Sequence, residues 1–371
     1  MRAAIIGAGI GGLAAAYDLV RAGWEVTVFE AAPVVGGLAS GFREPHWDWS
    51  VERFYHHWFA SDRHLLGFAE ELGLGKGVIF RRPTTVMYHD GRFFPFDSPL
   101  AALRFPGLGW GLDKLRIGLV GLYLRRTRNW QPFEQVTVAA WMRRWAGDRV
   151  WERMWEPMVV GKFGERFAPL VNMAWLWARL HARTPSLGTY EGGFQAFVDQ
   201  VAQQLRQRGA RFELGARVER IAAHAGGGLA VAVAGSGELV FDRCLATCSP
   251  ALLARLAPEL APDYLQGLLD LHSLGAVVMV LALDQPLSPE GYYWYNLPKS
   301  AGFPFLALVE HTNFLPREHF GGDVIVYCGD YLETDHEYFQ LTHDELVERF
   351  LPALARINPG FRPGWVRGTW L

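Results

Sequence analysis

Three glycines set between a short apolar strand and a helix constrain this chain more than any other feature. Ala3 to Ile6 runs into Gly7-Ala8-Gly9-Ile10-Gly11-Gly12, and the stretch from Leu13 to Ala22 places Leu13, Ala16, Tyr17 and Val20 on one helical face before Gly23 stops it. At G-x-G-x-x-G spacing, Gly7 makes the tight turn, Gly9 lets backbone approach a pyrophosphate, and Gly12 lets the helix pack close on the strand. The helix N-terminus then offers free N–H groups and a positive dipole end to phosphate. A second strand, Val26-Thr27-Val28-Phe29, delivers Glu30 about twenty residues after the glycines, where a carboxylate accepts hydrogen bonds from a ribose diol and repels a phosphate. This pattern predicts a dinucleotide site without choosing between NAD and FAD.

The extension Glu30-Ala31-Ala32-Pro33-Val34-Val35-Gly36-Gly37-Leu38 adds a second glycine pair just past the acidic residue. With it the chain resembles the flavin-containing amine oxidase superfamily, which includes protoporphyrinogen oxidases, phytoene and other carotenoid desaturases and, more distantly, UDP-galactopyranose mutases. The resemblance implies FAD as cofactor. Gly7, Gly9, Ile10, Gly11, Gly12 and Glu30 would hold its ADP half, and Gly36, Gly37 and Leu38 would lie along the pyrophosphate and ribityl chain. A second stretch is similar to the family's mid-chain element: Tyr190-Glu191-Gly192-Gly193-Phe194 opens a helix, and Phe212 to Ile221 returns as a strand, which implies that Val218 lies beside the adenine. Leu239 to Thr247 is expected as one more strand returning to the nucleotide fold.

The 371 residues exceed what one compact core usually supports, so two domains are expected. The fold class is α/β. A Rossmann-like FAD-binding domain with a parallel sheet (residues 1–84 and 186–268) is interleaved with an α+β substrate domain (85–185 and 269–371). The latter combines a helical cap, with helical character at 112–125, 136–145 and 149–160, and an antiparallel platform built from apolar runs at 276–283, 292–295, 304–309 and 324–327, with a helix at 344–357. Gly226-Gly227-Gly228 marks a hairpin turn.

Half of the residues are hydrophobic and 15 are Trp, enough to line an apolar cavity, while a net charge of −2 argues against a nucleic-acid partner. Cys244, Cys248 and Cys328 form no disulfide framework, and no second His or Cys pair completes a metal site, so no metal is expected. Arg2 and the apolar run after it imitate a secretory signal, but cleavage would remove the glycines; the expected location is cytoplasmic. Arg104 to Arg128 carries six cations against Asp113 around the apolar run 117–124, far short of the roughly twenty residues of a membrane span. That segment fits either a cap helix with a solvated basic end or a surface helix on an anionic membrane.

Candidates for the chemistry come from three places. Asp48 to His57 occupies the stretch where relatives carry residues beside the isoalloxazine, with Ser50 standing where glycine is usual; Arg53 and His56 face the flavin or substrate, or pair with Glu44 or Glu52. Lys162, in a stretch similar to the family's cap motif, meets an anionic substrate group or the flavin, or is solvated. Glu310 and His311 end an apolar strand, as groups that orient substrate or form a strand-end salt bridge. Relatives end with a glycine-rich strand and helix over the flavin, whereas this sequence stops at Leu371, so a truncated chain with weakened FAD retention is expected. The expected function is an FAD-dependent oxidoreductase removing hydride from a C–N or C–C bond of a small apolar substrate. The alternatives are a flavin-dependent sugar-nucleotide mutase, for which Arg143, Arg144, Arg179 and Arg183 are the available cap arginines, and a non-catalytic flavin-binding scaffold.

Overall fold

A computed structural model describes residues 1–108 and 111–371. The chain divides into two compact units, Met1–His56 with Arg63–Ile79 and Thr189–His272, and His57–Asp62 with Phe80–Gly188 and Ser273–Leu371. The backbone passes from the first unit to the second at residue 57, returns at 63 and crosses again at 80.

The first unit is built on a four-stranded parallel sheet in the order Arg211–Leu214, Glu25–Glu30, Arg2–Ile6, Arg243–Ala246. Strand Arg2–Ile6 sits centrally because Ala3, Ala4, Ile5 and Ile6 offer small or branched apolar side chains to both faces, and all four are buried. Helices Ile10–Arg21 and Phe194–Gln207 lie side by side. Against the other face, Ala4, Ile6 and Phe29 pack with Val218, Val231 and Phe241 of a three-stranded antiparallel meander, Val218–Ala223, Leu229–Val233 and Gly237–Phe241. Gly227 and Gly228, both at positive φ, make the first turn of that meander. The single strand expected over 239–247 is two strands in two sheets. Asp242 makes the break: its carboxylate accepts the Arg2 N–H at 2.7 Å and its own N–H donates to the Arg2 carbonyl.

The second unit carries a seven-stranded sheet in the order Val366–Trp370, Gly275–Leu283, Val324–Leu332, Ala307–Glu310, Trp294–Asn296, Thr85–His89, Arg92–Pro95. Every neighbouring pair is antiparallel except Trp294–Asn296 with Thr85–His89. Helix His343–Ile357 begins at a reciprocal cap between Thr342 and Glu345 and buries Leu346, Phe350 and Leu354 against Met279, Leu281 and Val326. Tyr293 and Tyr295 are core residues, and the strand expected over 292–295 runs over Trp294–Asn296.

A second core lies among helices Leu112–Arg126, Val138–Ala146, Glu156–Phe167 and Met173–Ala182. A π-helical turn, Trp151–Trp155, precedes Glu156 and lets Trp151, Met154 and Trp155 all point inward. Helix Leu112–Arg126 has two apolar faces. Ile117, Val120 and Leu124 are buried, while Leu112, Leu115, Leu119, Leu122 and Tyr123 stand exposed. Among the described residues, no helix is long and apolar enough to cross a membrane.

Candidate functional site

Gly7 takes φ +105°, closed to most side chains, and turns the first strand toward its helix. A Cβ on Gly12 would fall 2.0 Å from the Gly7 carbonyl oxygen, so the helix reaches the turn only because Gly12 has none. The next contact is backbone on backbone. Gly36 donates its N–H to the Ala8 carbonyl at 2.9 Å, Gly9 and Gly36 form a parallel bridge, and a Cβ on Gly37 would meet the Gly9 Cα at 3.2 Å. The two glycine groups that the sequence separates by some two dozen residues thus form one surface.

Glu30 braces this surface. One carboxylate oxygen accepts the Ala8 N–H and the other the Ala32 N–H, each at 2.8 Å. Each oxygen keeps a further lone pair, so a ribose diol finds an acceptor already oriented. Helix Ile10–Arg21 has no side-chain cap and no acid in its first turn. A Cβ on Gly11 would meet nothing within 4 Å, and one on Gly9 only the Gly37 Cα at 3.9 Å. Ile10 and Leu38 are exposed beside these glycines. Uncapped amides, open space that side chains would fill and an oriented carboxylate fit the pyrophosphate and ribose of a dinucleotide. The N–H groups of Gly215 and Ala216 donate to the carbonyls of Ala32 and Glu30, which brings buried Val218 to the end of the same strand.

Helix Phe194–Gln207 locks the second glycine turn. The Gln195 amide N–H donates to the Val35 carbonyl at 3.2 Å, its carbonyl accepts the Gly41 N–H at 3.0 Å, and Val198 lies 3.1 Å from where a Gly36 Cβ would stand. Ser50 joins the assembly in place of the usual glycine: its hydroxyl donates to the Gly192 carbonyl at 2.8 Å. The buried Glu52 carboxylate accepts the Phe194 N–H at 3.0 Å, filling the N-terminus of that helix. Arg53 donates its backbone N–H to the Ser40 carbonyl and sets its exposed guanidinium over the Phe42 ring at 5.8 Å; the exposed His56 lies 2.6 Å from the Phe54 carbonyl through Nδ1 and touches the Phe194 ring.

The other candidates belong to the second unit. Glu310 is 1% exposed, and its carboxylate accepts the N–H groups of Ser288 at 2.7 Å and Leu287 at 3.3 Å. It closes a loop rather than ending the strand in a salt bridge. Burial pushes its carboxyl up to about 7 against those bonds. His311 packs edge-on to Phe320 and Tyr327, and burial lowers it to about 4. Lys162 projects from helix Glu156–Phe167 with Nζ 4.4 Å over the Tyr331 ring; desolvation first, and then repulsion from Arg179, hold its ammonium below the ordinary value. Sequence reasoning passed over Tyr331, whose only signal is its place on an apolar strand. It also passed over the amides of Ala8 and Ala32, which as backbone groups leave no trace in the residue string.

The flavin containing amine oxidoreductase family matches residues 10–369. A 15-cis-phytoene desaturase of Narcissus pseudonarcissus is 21% identical over 96% of this chain and 65% of its own length. The chain spans between 33% and 65% of the length of this and two similar desaturases. Among solved structures, a proposed protoporphyrinogen oxidase of Exiguobacterium sp. 255-15 superposes with TM-score 0.75 at 18% identity, over 100% of this chain and 85% of that one. A reduced UDP-galactopyranose mutase gives 0.73 at 16% identity, over 100% and 82%. Likeness at these identities is one of fold.

Glu310 couples stability to pH. Its folded-state value of about 7 exceeds the ordinary 4.5, so the folded chain retains a proton that the unfolded chain has lost. This contribution is complete below pH 4.5 and disappears as pH rises through about 7, a change on the order of 3 kcal/mol. Urea unfolding at pH 5 and pH 8 should show the wild type losing more stability over this step than Glu310→Gln, and equal losses would contradict the assignment.

Proposed function

Because the chain belongs to the flavin containing amine oxidoreductase family, we propose that it is an FAD-dependent oxidoreductase that removes hydride from a C–N or C–C bond of an apolar substrate. One observation carries the cofactor half of this reading: the joined surface of Gly9, Gly36 and Gly37, braced by Glu30 and facing an uncapped helix end. The flavin, when bound, supplies the hydride acceptor. The chain's own groups hold and orient. The amides of Ile10, Gly11 and Gly12 receive the pyrophosphate, and Glu30 takes the ribose hydroxyls while turning away a 2′-phosphate. The stretch from Ser50 to His56 is tied to the helix that locks the second glycine turn, and this supports the reading of its Arg53 and His56 as groups that meet the flavin or the substrate. Denatured holoprotein should release FAD and not FMN. Glu30→Ala should weaken FAD binding by about 1–3 kcal/mol, the usual range for a charged hydrogen bond. Release of FMN alone would refute the cofactor assignment.

We propose that the chain binds the surface of an anionic membrane through the second apolar face of helix Leu112–Arg126. Five large apolar side chains there are exposed on one stripe, with Arg116, Arg125 and Arg126 exposed along the same helix. Such a stripe enters the headgroup boundary while the cations meet lipid phosphates, and its affinity falls as salt screens them. The protein should co-sediment with phosphatidylserine-containing vesicles at low salt. Leu115→Asp combined with Leu119→Asp, both at exposed positions, should abolish this without loss of folding; unchanged sedimentation would overturn the placement.

A further inference from the structure

The Gly7 turn is held from a side that the glycine motif does not reveal. Strand Arg243–Ala246 runs parallel to Arg2–Ile6 with Ala246 opposite Ile6, which brings the next residue, Thr247, level with the turn. The Thr247 N–H donates to the Ile6 carbonyl at 2.9 Å. Its hydroxyl lies 2.9 Å from that carbonyl and 3.2 Å from the Gly7 carbonyl, a three-centre donation to both. The same hydroxyl fills space that side chains at two of the motif's glycines would need: a Cβ on Gly7 would fall 2.7 Å from Thr247 Oγ1, and one on Gly12 would fall 3.2 Å from it. Thr247 is exposed, so burial contributes little to keeping it there; these bonds are what its side chain supplies.

The peptide unit between Gly7 and Ala8 is gripped at both ends. Its carbonyl meets the Thr247 hydroxyl, and its N–H donates to a Glu30 carboxylate oxygen at 2.8 Å. The carbonyl and N–H of a trans peptide point in opposite directions, so the two bonds together fix the plane, whereas one alone leaves it free to swing. Glycine at position 7 has no Cβ to resist that swing. Loss of the Thr247 hydroxyl therefore loosens the Ala8 N–H, and a Glu30 carboxylate that loses the Ala8 N–H is held by the Ala32 N–H alone. With one bond the carboxylate rotates; with two it presents its remaining lone pairs in a fixed direction.

We propose that Thr247 is a positioning residue for the cofactor of the oxidoreductase proposed above. Acting through the Gly7–Ala8 peptide, its hydroxyl holds the Glu30 carboxylate in the orientation that accepts the ribose hydroxyls. The inference rests on that reading and adds to its site a side chain from a strand remote in sequence from both glycine groups and from Glu30. The Thr247 bond to Gly7 is open to solvent and joins neutral groups, so its effect on cofactor affinity is that of one ordinary hydrogen bond, about threefold to tenfold.

The test measures the FAD dissociation constant of the flavin-loaded full chain by dilution, read as the fluorescence of released flavin. Thr247→Val, which keeps the shape and removes the hydroxyl, should weaken FAD binding by about threefold to tenfold, and Thr247→Ala, the same deletion in a smaller residue, should do likewise. Thr247→Ser, which keeps the hydroxyl, should stay within about twofold of the wild type. The loss should nearly vanish in a Glu30→Ala background, where no carboxylate is left to orient. At equal flavin content, hydrogen exchange at the Ala8 amide should quicken in Thr247→Val and return to the wild-type rate in Thr247→Ser, while the Val28 amide in the paired strand keeps its rate in both. Four results would each overturn the proposal: unchanged FAD affinity in Thr247→Val and Thr247→Ala, a loss that Thr247→Ser shares, a loss that adds in full to that of Glu30→Ala, or an Ala8 amide that exchanges alike in all three chains. A wild type that retains no FAD refutes the cofactor reading instead, and exchange at Ala8 then still decides whether Thr247 holds the turn.

Discussion

Contact between two backbone turns, Gly9 against Gly36 and Gly37, governs the rest of the first unit. Side chains at these positions would force the turns apart: a Cβ on Gly37 would stand 3.2 Å from the Gly9 Cα, and both Gly36 and Gly37 take positive φ. With the turns together, Glu30 can span from Ala8 to Ala32, the start of helix Ile10–Arg21 is left without a cap, and helix Phe194–Gln207 can reach the second turn through Gln195. One geometric condition therefore leaves an oriented carboxylate and an uncapped helix start side by side, the arrangement that the proposed FAD site uses.

Much of this half is legible in the residue string because it depends on residue types with no substitute. Glycine at positions 7, 12 and 36 answers to local sterics, and an acid at the end of the second strand answers to local chemistry. What the string conceals is non-local. The Glu30 carboxylate is held by amides, which every residue carries, and the split of the 239–247 stretch depends on Asp242 meeting Arg2 across the sheet. Glu310 and His311 illustrate a different loss. The position of two polar residues at a strand end is legible in the string, whereas the burial of both side chains is not. Helix Leu112–Arg126 was legible as a helix, but whether it is a cap helix or a surface helix stayed open, because apolar residues on two opposite faces cancel the periodic signal that one face would give.

Buried charge is handled differently in the two units. In the first unit, the carboxylates of Glu30 and Glu52 are consumed by backbone amides and stabilise turns and a helix start. In the platform of the second unit, burial favours the uncharged forms of Glu310 and His311.

Hydrogen exchange on the intact chain, with and without FAD, tests the joined glycine surface most directly. If Gly9 and Gly36–Gly37 form one cradle, FAD should slow exchange at the amides of residues 9–13 and, in the same titration, at those of residues 36–39. Slowing confined to the first segment, with the second unchanged at saturating FAD, would contradict the account.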